Sequence, residues 1–432
     1  MTFHVIAFVS CLDIGFGRGQ ETGFFSWGHR MGHVVVIGAG QAGSSCVAKL
    51  RNSGFDGKVT LIGSENVPPY QRPPLSKAYL MGDMTLERLF LRPESFYSEY
   101  NIDLMLGTHV DSIDTTSQTI RVNGGDMAYD DLVLTTGSVP RHLPASIGGA
   151  LNGVHVVRDL ADVDAMAPRF TKDARVLIVG GGYIGLEAAS VAAKLGLNVT
   201  LVEMCDRILQ RVAAPQTSDF FRDLHRSHGV DIREGIGLER LVGDTHVTAA
   251  QLSDGSELPI DFVIVGVGIA PGIDLAQAAG IEIENGMKTD SHGRTSAPHV
   301  WAAGDCTSFP YRDTRIRLES VPNAIDQAEC VAENIMGADK SYVAKPWFWS
   351  DQYDVKLQIA GLNTGYDRVI TRRTDEDSIA FWYYKGAELL AVDAMNDPRG
   401  FMIGRRLIEA GKSPAPELIE SPDTDLKALL KA

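Results

Sequence analysis

Two glycine triplets in the sequence have the spacing that binds the diphosphate of a dinucleotide. Each follows a β-branched run and opens a helical stretch, in "HVVVIGAGQAGSSCVAKL" and in "RVLIVGGGYIGLEAASVA". In a G-x-G-x-x-G turn the first glycine permits the tight turn, the second lets backbone approach the pyrophosphate, and the third lets helix pack on strand. The diphosphate then binds free N–H groups at the positive end of the helix. Two such strand–turn–helix units, here called the first and second frames, predict two dinucleotide sites. One site lies at Gly38, Gly40 and Gly43, and the other lies at Gly180, Gly182, Ile184 and Gly185.

An acidic residue ends the second strand of the second frame. Glu203 lies where a carboxylate would bind the ribose 2′-hydroxyl of NAD and repel a 2′-phosphate. Arg207 follows four residues later and keeps NADPH from being excluded outright. The sequence therefore favours NADH over NADPH. In the first frame the matching strand ends in Ser64 and Glu65, and either side chain could bind the ribose there.

The elements that must position these residues are strands and helices in alternation. "YDDLVLTTGSVPR" predicts a strand before Thr136 and Gly137, and "PHVWAAGDC" predicts another before Asp305. An aspartate that follows a buried strand is expected to be hydrogen-bonded, because an unpaired one would be costly. The tail alternates in short stretches, "LQIAGL", "DRVIT", "SIAFWYY" and "LLAVDAM", which predicts an antiparallel sheet. The fold class is α/β, with two Rossmann-like domains and a C-terminal α+β domain.

Composition excludes several classes of protein. The 432 residues carry a formal net charge of −15, which is unfavourable for nucleic-acid binding. The five cysteines form no C-x-x-C or cysteine–histidine metal spacing, so neither a disulfide framework nor a metal site is expected. This cysteine usage indicates a reduced, cytoplasmic compartment. No apolar run approaches the ~20 residues of a membrane span.

These motifs together resemble the pyridine-nucleotide-disulfide oxidoreductases, and within them the putidaredoxin reductase type of NADH-dependent ferredoxin reductase. The resemblance covers about residue 32 to the C-terminus. It depends on both glycine turns and on "RPPLSK", "TTGSVPR", "GVGIAP", "AAGDC", "ESVPNAIDQA" and "PWFWSDQYDVKLQ". It implies FAD at the first glycine turn and NADH at the second. Ser64 departs from the pattern, since many relatives carry an acid there.

The resemblance also implies domain bounds. An FAD-binding domain would comprise residues 33–140 and 272–346, interrupted by an NAD-binding domain at 141–271. Residues 347–432 would form the C-terminal α+β interface domain. We expect residues 1–32 to be a disordered or non-native extension, with Met31 as the true start.

The resemblance gives Lys77 a role that its position alone would not predict, since a lysine at a helix start is usually a solvated surface residue. In the similar enzymes the lysine of "PPLSK" pairs with a glutamate after the second glycine turn, here Glu187, beside flavin N5. Such a charge favours the electron-rich flavin as hydride arrives. Tyr183 would be the aromatic gate that occupies the nicotinamide position. The remaining implied contacts with FAD and NAD are made by Arg72, Thr136, Gly137, Asp305, Val321, Trp349 and Gly268.

The expected electron acceptor is a [2Fe–2S] ferredoxin that feeds a P450 or Rieske-type oxygenase. Plant-type ferredoxins are acidic, so we expect docking on basic residues, with Arg315, Arg317, Arg405 and Arg406 as candidates. Two alternatives stay open. One is a redox-sensing binding module of the apoptosis-inducing-factor type, and the other is a peroxide or disulfide reductase. We expect no nucleic-acid or membrane partner, and a monomer or weak homodimer.

Overall fold

The computed structural model describes residues 32–431. The expectations about the N-terminal extension and its start at Met31 therefore concern residues outside the described part of the chain.

A five-stranded parallel sheet, here called the first sheet, carries the first glycine turn. Its central strands are continuous apolar runs rich in β-branched residues, because both faces of a parallel sheet are covered. The helices Gln41–Asn52 and Val321–Ile335 pack together on one face of it. The strands lie in the spatial order Val300–Ala302, Asp131–Leu134, His33–Ile37, Lys58–Ile62 and Ile102–Met105.

A second parallel sheet, here called the second sheet, carries the second glycine turn. The chain leaves the first sheet after Asp131–Leu134 and returns to it only at Val300–Ala302. The outgoing strand Ser138–Pro140 and the returning strand Ile269–Pro271 pair antiparallel, so the two crossings lie side by side. The strands of the second sheet lie in the order Asp231–Glu234, Asn198–Glu203, Arg175–Val179, Phe262–Val265 and Val154–His155.

The tail forms a five-stranded antiparallel sheet, here called the third sheet, and the sequence prediction of that sheet is confirmed. One of its faces packs against the helix Pro398–Glu409. The other face joins the core of the second sheet, with Leu357, Phe381 and Tyr383 packed among residues such as Phe221. The strands lie in the order Trp347–Gln352, Val355–Gly361, Glu388–Met395, Ile379–Lys385 and Arg368–Arg373.

Smaller elements complete the described part of the chain. The other α-helices are Leu86–Leu89, Glu94–Glu99, Leu160–Met166, Tyr183–Lys194, Pro215–Ser227, Asp274–Ala278 and Pro416–Glu420. One π-helical turn spans Leu75–Tyr79, and 3-10 turns span Ala145–Ile147, Ala167–Arg169 and Ala428–Leu430. The small sheets comprise Val110–Asp114, Thr119–Val122 and Gly125–Ala128; Leu238–Gly243, Val247–Leu252 and Glu257–Pro259; and Met287–Lys288, Thr307–Tyr311 and Thr314–Ile316.

Candidate functional site

The three glycines of the first turn meet different surroundings. Gly38 has a φ of +113°, and a Cβ there would lie 2.2 Å from the carbonyl oxygen of Thr135. A Cβ on Gly43 would lie 2.0 Å from the carbonyl oxygen of Gly38. Gly40 differs, because no atom lies within 4 Å of its would-be Cβ. Two glycines are thus required by packing, and the middle one leaves space in front of the helix N-terminus.

The second turn repeats this arrangement. Gly180 has a φ of +107°, and a Cβ on Gly185 would lie 2.2 Å from the carbonyl oxygen of Gly180. The space in front of Gly182 is open within 4 Å. Both turns therefore have the shape that accepts a pyrophosphate against the helix N-terminus.

The residue after the second strand differs between the two frames. Val179 pairs with Val202 and Ile37 pairs with Ile62, so Gly63 occupies the position of Glu203. The carboxylate of Glu203 accepts hydrogen bonds from the backbone N–H groups of Gly181 (2.7 Å) and Cys205 (2.8 Å). No side chain fits at position 63, where a Cβ would lie 2.5 Å from the Cβ of Ala39.

Of the two ribose candidates in the first frame, Glu65 is engaged and Ser64 is exposed. The Glu65 carboxylate accepts hydrogen bonds from the Tyr70 hydroxyl and from the Arg72 guanidinium, both at 2.6 Å. Arg72 also donates to the carbonyl oxygen of Arg158 at 2.8 Å. Sequence reasoning missed Tyr70, although it lies in "PPYQRPPLSK" between the two residues that it joins.

Asp305 follows the strand Val300–Ala302, as expected, and its carboxylate accepts a hydrogen bond from the Ser138 hydroxyl at 3.1 Å. Burial raises the pKa of Asp305, and the nearby positive charge of Arg158 acts in the opposite direction. Sequence reasoning missed Arg158, whose Nη2 lies 3.2 Å from the would-be Cβ of Gly137. A partly buried carboxylate, a hydroxyl and a guanidinium thus meet at the carboxyl edge of the first sheet.

Thr136 and Gly268 lie where the two crossings between the sheets meet. The Thr136 hydroxyl donates to the carbonyl oxygen of Gly272 at 2.5 Å. Gly268 has a φ of +102°, and its carbonyl oxygen accepts the backbone N–H of Arg141. Both residues therefore fix the connection between the two parallel sheets.

Lys77 and Glu187 form an ion pair, with Nζ 2.7 Å from Oε2 and only 17% and 4% of their side chains exposed. The Ser76 hydroxyl donates to the same Oε2 at 2.9 Å, and the Ser350 hydroxyl donates to Oε1 at 2.7 Å. Lys77 lies at a kink of the π-helical turn, with φ −134° and ψ −111°. Sequence reasoning missed both serines, although each lies inside a quoted motif. With Ser350, the pair brings the turn Leu75–Tyr79, the helix Tyr183–Lys194 and the third sheet together at one carboxylate.

Tyr183 begins the helix after the second glycine turn and packs against Phe348 of the third sheet, with ring centroids 5.0 Å apart. Its hydroxyl is buried and has no hydrogen-bond partner among the described residues. Ile184, the next residue, is exposed. Trp349 lies beside Trp347 at 5.5 Å, and Val321 opens a helix that is capped by Ser320. Tyr183 therefore lies at the contact between the second glycine turn and the third sheet, and its role as a gate stays a prediction.

Arg207 does not extend over the second glycine turn. Its guanidinium donates to the Ser218 hydroxyl and to the carbonyl oxygen of Ala213 at 2.8 Å, which ties it to the start of the helix Pro215–Ser227. Arg211 is exposed instead, with Nη2 3.7 Å from the would-be Cβ of Gly268. Sequence reasoning missed Arg211, because spacing alone does not say which way an arginine side chain turns.

The four candidate docking arginines have different surroundings. Arg315 donates to the carbonyl oxygen of Thr289 at 2.8 Å, and Arg317 pairs with Glu319. Arg405 pairs with Glu409 at 2.7 Å and lies over the Trp347 ring at 5.3 Å. Arg406 is exposed on the same helix. Docking remains a prediction for all four, and the surroundings of Arg406 suit it best.

The cysteine and acidic side chains of residues 32–431 form no redox or metal centre in this part of the chain. The four described cysteines, Cys46, Cys205, Cys306 and Cys330, are free thiols, and none occurs between residues 47 and 204. No group of three or more His, Cys, Asp or Glu side chains in this range is arranged to hold a metal ion. No helix in it is both long and apolar enough to cross a bilayer.

Comparison with known proteins gives two family matches. Residues 32–328 match the pyridine nucleotide-disulphide oxidoreductase family, and residues 347–430 match the reductase C-terminal family. Both glycine turns and the ion pair lie in the first of these segments.

Similar proteins cover nearly the whole chain. A ferredoxin–NAD(P)+ reductase of a Sphingomonas species is 44% identical over 92% of this chain and 96% of its own length. Putidaredoxin reductase of Pseudomonas putida is 40% identical over 93% of this chain and 97% of its own. The ferredoxin–NAD+ reductase component of an anthranilate 1,2-dioxygenase system from Burkholderia cepacia is 35% identical over 92% and 98%. Among solved structures, the covalent putidaredoxin reductase–putidaredoxin complex superposes with a TM-score of 0.90, covering 93% of this chain and 98% of that chain at 40% identity.

Proposed function

The chain belongs to the pyridine nucleotide-disulphide oxidoreductase family, and on that basis we propose that it is an FAD-dependent ferredoxin reductase. It takes electrons from NADH and passes them to a [2Fe–2S] ferredoxin that supplies a P450 or Rieske-type oxygenase. The observation that carries this function is the largely buried Lys77–Glu187 pair, in which Glu187 lies on the helix of the second glycine turn and is bonded to Ser350 of the third sheet.

The residues present fit FAD at the first turn. Open space lies in front of Gly40, and the Asp305 carboxylate accepts a hydrogen bond from Ser138 and has lone pairs to accept another from a ligand hydroxyl. The FAD-binding set comprises Gly38, Gly40, Gly43, Ser64, Glu65, Arg72, Lys77, Thr136, Gly137, Asp305, Val321 and Trp349. Within this set we assign the ribose contact to Ser64, because Glu65 is held by Tyr70 and Arg72.

NADH is assigned to the second turn. Glu203 is fixed by two backbone N–H groups, so its charge stands at the edge where the ribose would lie and disfavours a 2′-phosphate. The NAD-binding set comprises Gly180, Gly182, Ile184, Gly185, Glu203, Arg207 and Gly268. Arg207 contributes through the loop that it ties down rather than by direct contact.

Bound flavin supplies the capacity to accept a hydride and to release two single electrons. The chain's own residues prepare that exchange. Lys77 holds a positive charge where negative charge develops, and Glu187 makes the burial of that charge tolerable. Tyr183 excludes water from the nicotinamide position and moves aside when NADH binds.

The acceptor of the electrons would be a separate one-electron carrier and not a disulfide of this chain. No cysteine occurs between residues 47 and 204, which argues against a redox-active disulfide on this stretch and so against a peroxide or disulfide reductase. Docking of the acidic ferredoxin involves Arg315, Arg317, Arg405 and Arg406, with Arg406 as the most accessible.

The proposal also covers the division of the chain into binding units, its compartment and its oligomeric state. The FAD-binding unit comprises residues 33–140 and 272–346, the NAD-binding unit 141–271 and the interface unit 347–432. The paired crossings Ser138–Pro140 and Ile269–Pro271 support an insertion of one unit into the other. We assign the protein to the cytoplasm, which the free thiols support, and expect a monomer or weak homodimer.

The test is a two-step reduction experiment. The FAD-loaded protein is mixed anaerobically with NADH, and flavin bleaching is followed by absorbance. A [2Fe–2S] ferredoxin is then added, and its reduction is followed separately. We expect fast bleaching and multiple turnovers of ferredoxin. Fast bleaching without ferredoxin turnover, for every ferredoxin from oxygenase systems that is tried, would favour the redox-sensing module instead.

A further inference from the structure

A chain of hydrogen bonds leads from Glu187 away from Lys77 to the rim of the third sheet. The Ser350 hydroxyl donates to Glu187 Oε1 at 2.7 Å, and the Gln352 amide nitrogen donates to the Ser350 hydroxyl at 3.2 Å. The Gln352 amide oxygen lies 2.8 Å from Nε2 of His225. Nδ1 of the same ring lies 3.2 Å from the Tyr353 hydroxyl. Ser350, Gln352 and His225 are completely buried.

The direction of every bond in this chain follows from its Glu187 end. An ionised carboxylate only accepts hydrogen bonds, so the single hydrogen of the Ser350 hydroxyl must point to Glu187. Ser350 must then accept from the amide nitrogen of Gln352, which turns the amide oxygen of Gln352 towards His225. His225 therefore donates from Nε2. Burial lowers the pKa of His225 to about 4, so near neutral pH its other nitrogen is an acceptor for Tyr353.

We propose that Ser350, Gln352 and His225 are positioning residues for hydride transfer, acting through Glu187. They form a one-directional chain of donors that holds Oε1, so that Oε2 stays with Lys77 at the flavin. This inference rests on the proposed function in that the Lys77–Glu187 pair is taken to act beside the flavin. It also gives the polar residues of "WSDQY" a role, since Ser350, Gln352 and Tyr353 of that stretch belong to the chain of hydrogen bonds.

This chain of hydrogen bonds orients the Glu187 carboxylate and does not conduct protons. A relay would require the Gln352 amide to give up one hydrogen and gain another on its oxygen, which a neutral amide does not do near neutral pH. What the chain supplies is a set of aligned dipoles in a buried site, where hydrogen bonds are stronger and unpaired groups are costlier than in water. Because Ser350 and Gln352 belong to the third sheet, the same chain ties that sheet to the helix Tyr183–Lys194.

The test measures flavin reduction by NADH in stopped flow, with FAD-loaded protein and no ferredoxin. Ser350→Ala removes the donor to Oε1, and we expect the limiting reduction rate to fall about tenfold with little change in the apparent Kd for NADH. Ser350→Thr keeps a hydroxyl on a β-branched side chain that suits a strand, and we expect it to stay within about twofold of wild type.

A second variant tests the direction of the chain without shortening a side chain. In Gln352→Glu the new carboxylate accepts hydrogen bonds from both sides and competes with Glu187 for the Ser350 hydrogen. We expect it to slow flavin reduction as much as Ser350→Ala does. The matched control is Ser190→Ala, because Ser190 is also a buried serine bonded to Glu187, but to its backbone carbonyl oxygen at 3.0 Å. We expect no change in rate for it.

Two results would overturn the inference: wild-type flavin reduction in Ser350→Ala, or an equal loss of rate in Ser190→Ala, which would indicate a general packing effect. Flavin content and thermal unfolding of each variant are measured alongside. Since ferredoxin is absent, failure of the proposed function is seen separately, as a wild-type protein that is reduced by NADH and transfers no electrons to ferredoxin.

Discussion

The Nζ of Lys77 lies 2.7 Å from Oε2 of Glu187, although Lys77 lies in the π-helical turn Leu75–Tyr79 and Glu187 lies on the helix of the second glycine turn, 110 residues further along the chain. Lys77→Met would leave Glu187 as a buried charge without its cation. We expect a loss of roughly 3–5 kcal/mol in the free energy of unfolding, together with slower flavin reduction. Urea unfolding and stopped-flow reduction by NADH measure the two effects.

A double variant separates stability from chemistry at this pair. Lys77→Met combined with Glu187→Gln removes both charges, so we expect most of the stability to return while flavin reduction stays slow. If the double variant also regained the wild-type reduction rate, the charge of Lys77 would have no part in hydride transfer.

The middle glycine of the first turn offers a cleaner test of FAD binding than its neighbours. Gly40→Val points into open space, whereas a side chain on Gly38 would collide with the backbone and strain a positive φ. We expect the Gly40→Val protein to fold and to purify without yellow colour. Gly125→Val is the control, since Gly125 has only one atom near its would-be Cβ, at 3.8 Å, and lies outside the site. Full FAD content in Gly40→Val would contradict the assignment.

Glu203 should determine the choice of coenzyme. Wild type should have the higher kcat/KM with NADH, and Glu203→Ala should narrow the gap to NADPH by removing a negative charge. Glu203→Gln removes the charge and keeps an acceptor for one of the two N–H groups, because Gly181 and Cys205 donate to different oxygens of the carboxylate. We therefore expect the glutamine variant to narrow the gap with a smaller loss of NADH affinity. A wild-type preference for NADPH would refute this view.

Asp393 should make stability depend on pH. Burial raises the pKa of Asp393 from 3.8 to about 6, against the effect of the Tyr383 and Thr217 hydroxyls that donate to it. The folded state then binds a proton that the unfolded state has lost, so the contribution of Asp393 to stability falls as pH rises from about 4 to about 6. The full change is on the order of 3 kcal/mol.

Asp393→Asn removes this dependence, so its stability relative to wild type should rise with pH over that window. Urea unfolding of both proteins at about pH 4 to about pH 7, which spans that window, measures the difference. Asp111→Asn, a change at an exposed aspartate, serves as the control. A difference between Asp393→Asn and wild type that stays constant across this range would show that Asp393 titrates normally.

Docking should depend on Arg406 and on salt. We expect Arg406→Ala to lower kcat/KM for ferredoxin a few-fold at low ionic strength and to flatten its salt dependence, because screening has less charge to act on. Flavin reduction by NADH should be unchanged. Arg121→Ala, at another exposed arginine far along the chain, is the control. Equal losses in both variants would mean that net charge, and no particular face, governs the encounter.

The sequence alone determined the two glycine turns, the strands that precede them and the antiparallel tail. These features follow from local rules. β-branched runs form strands, and three glycines at fixed spacing allow the tight turn, the approach of the diphosphate and the packing of the helix on the strand. Lys77 and Glu187 could be named as well, but only because the motifs resembled a family in which such residues pair.

Tertiary structure decided what depends on side-chain direction and on contacts distant in sequence. Four residues from Glu203, Arg207 turns to Ser218 and leaves Arg211 exposed, and Glu65 is held by Tyr70 and Arg72. Ser350 reaches Glu187, and Gln352 reaches His225, only because the third sheet packs on the second. Spacing along the chain fixes backbone geometry within an element, whereas the partner of a long polar side chain is fixed by which elements pack together.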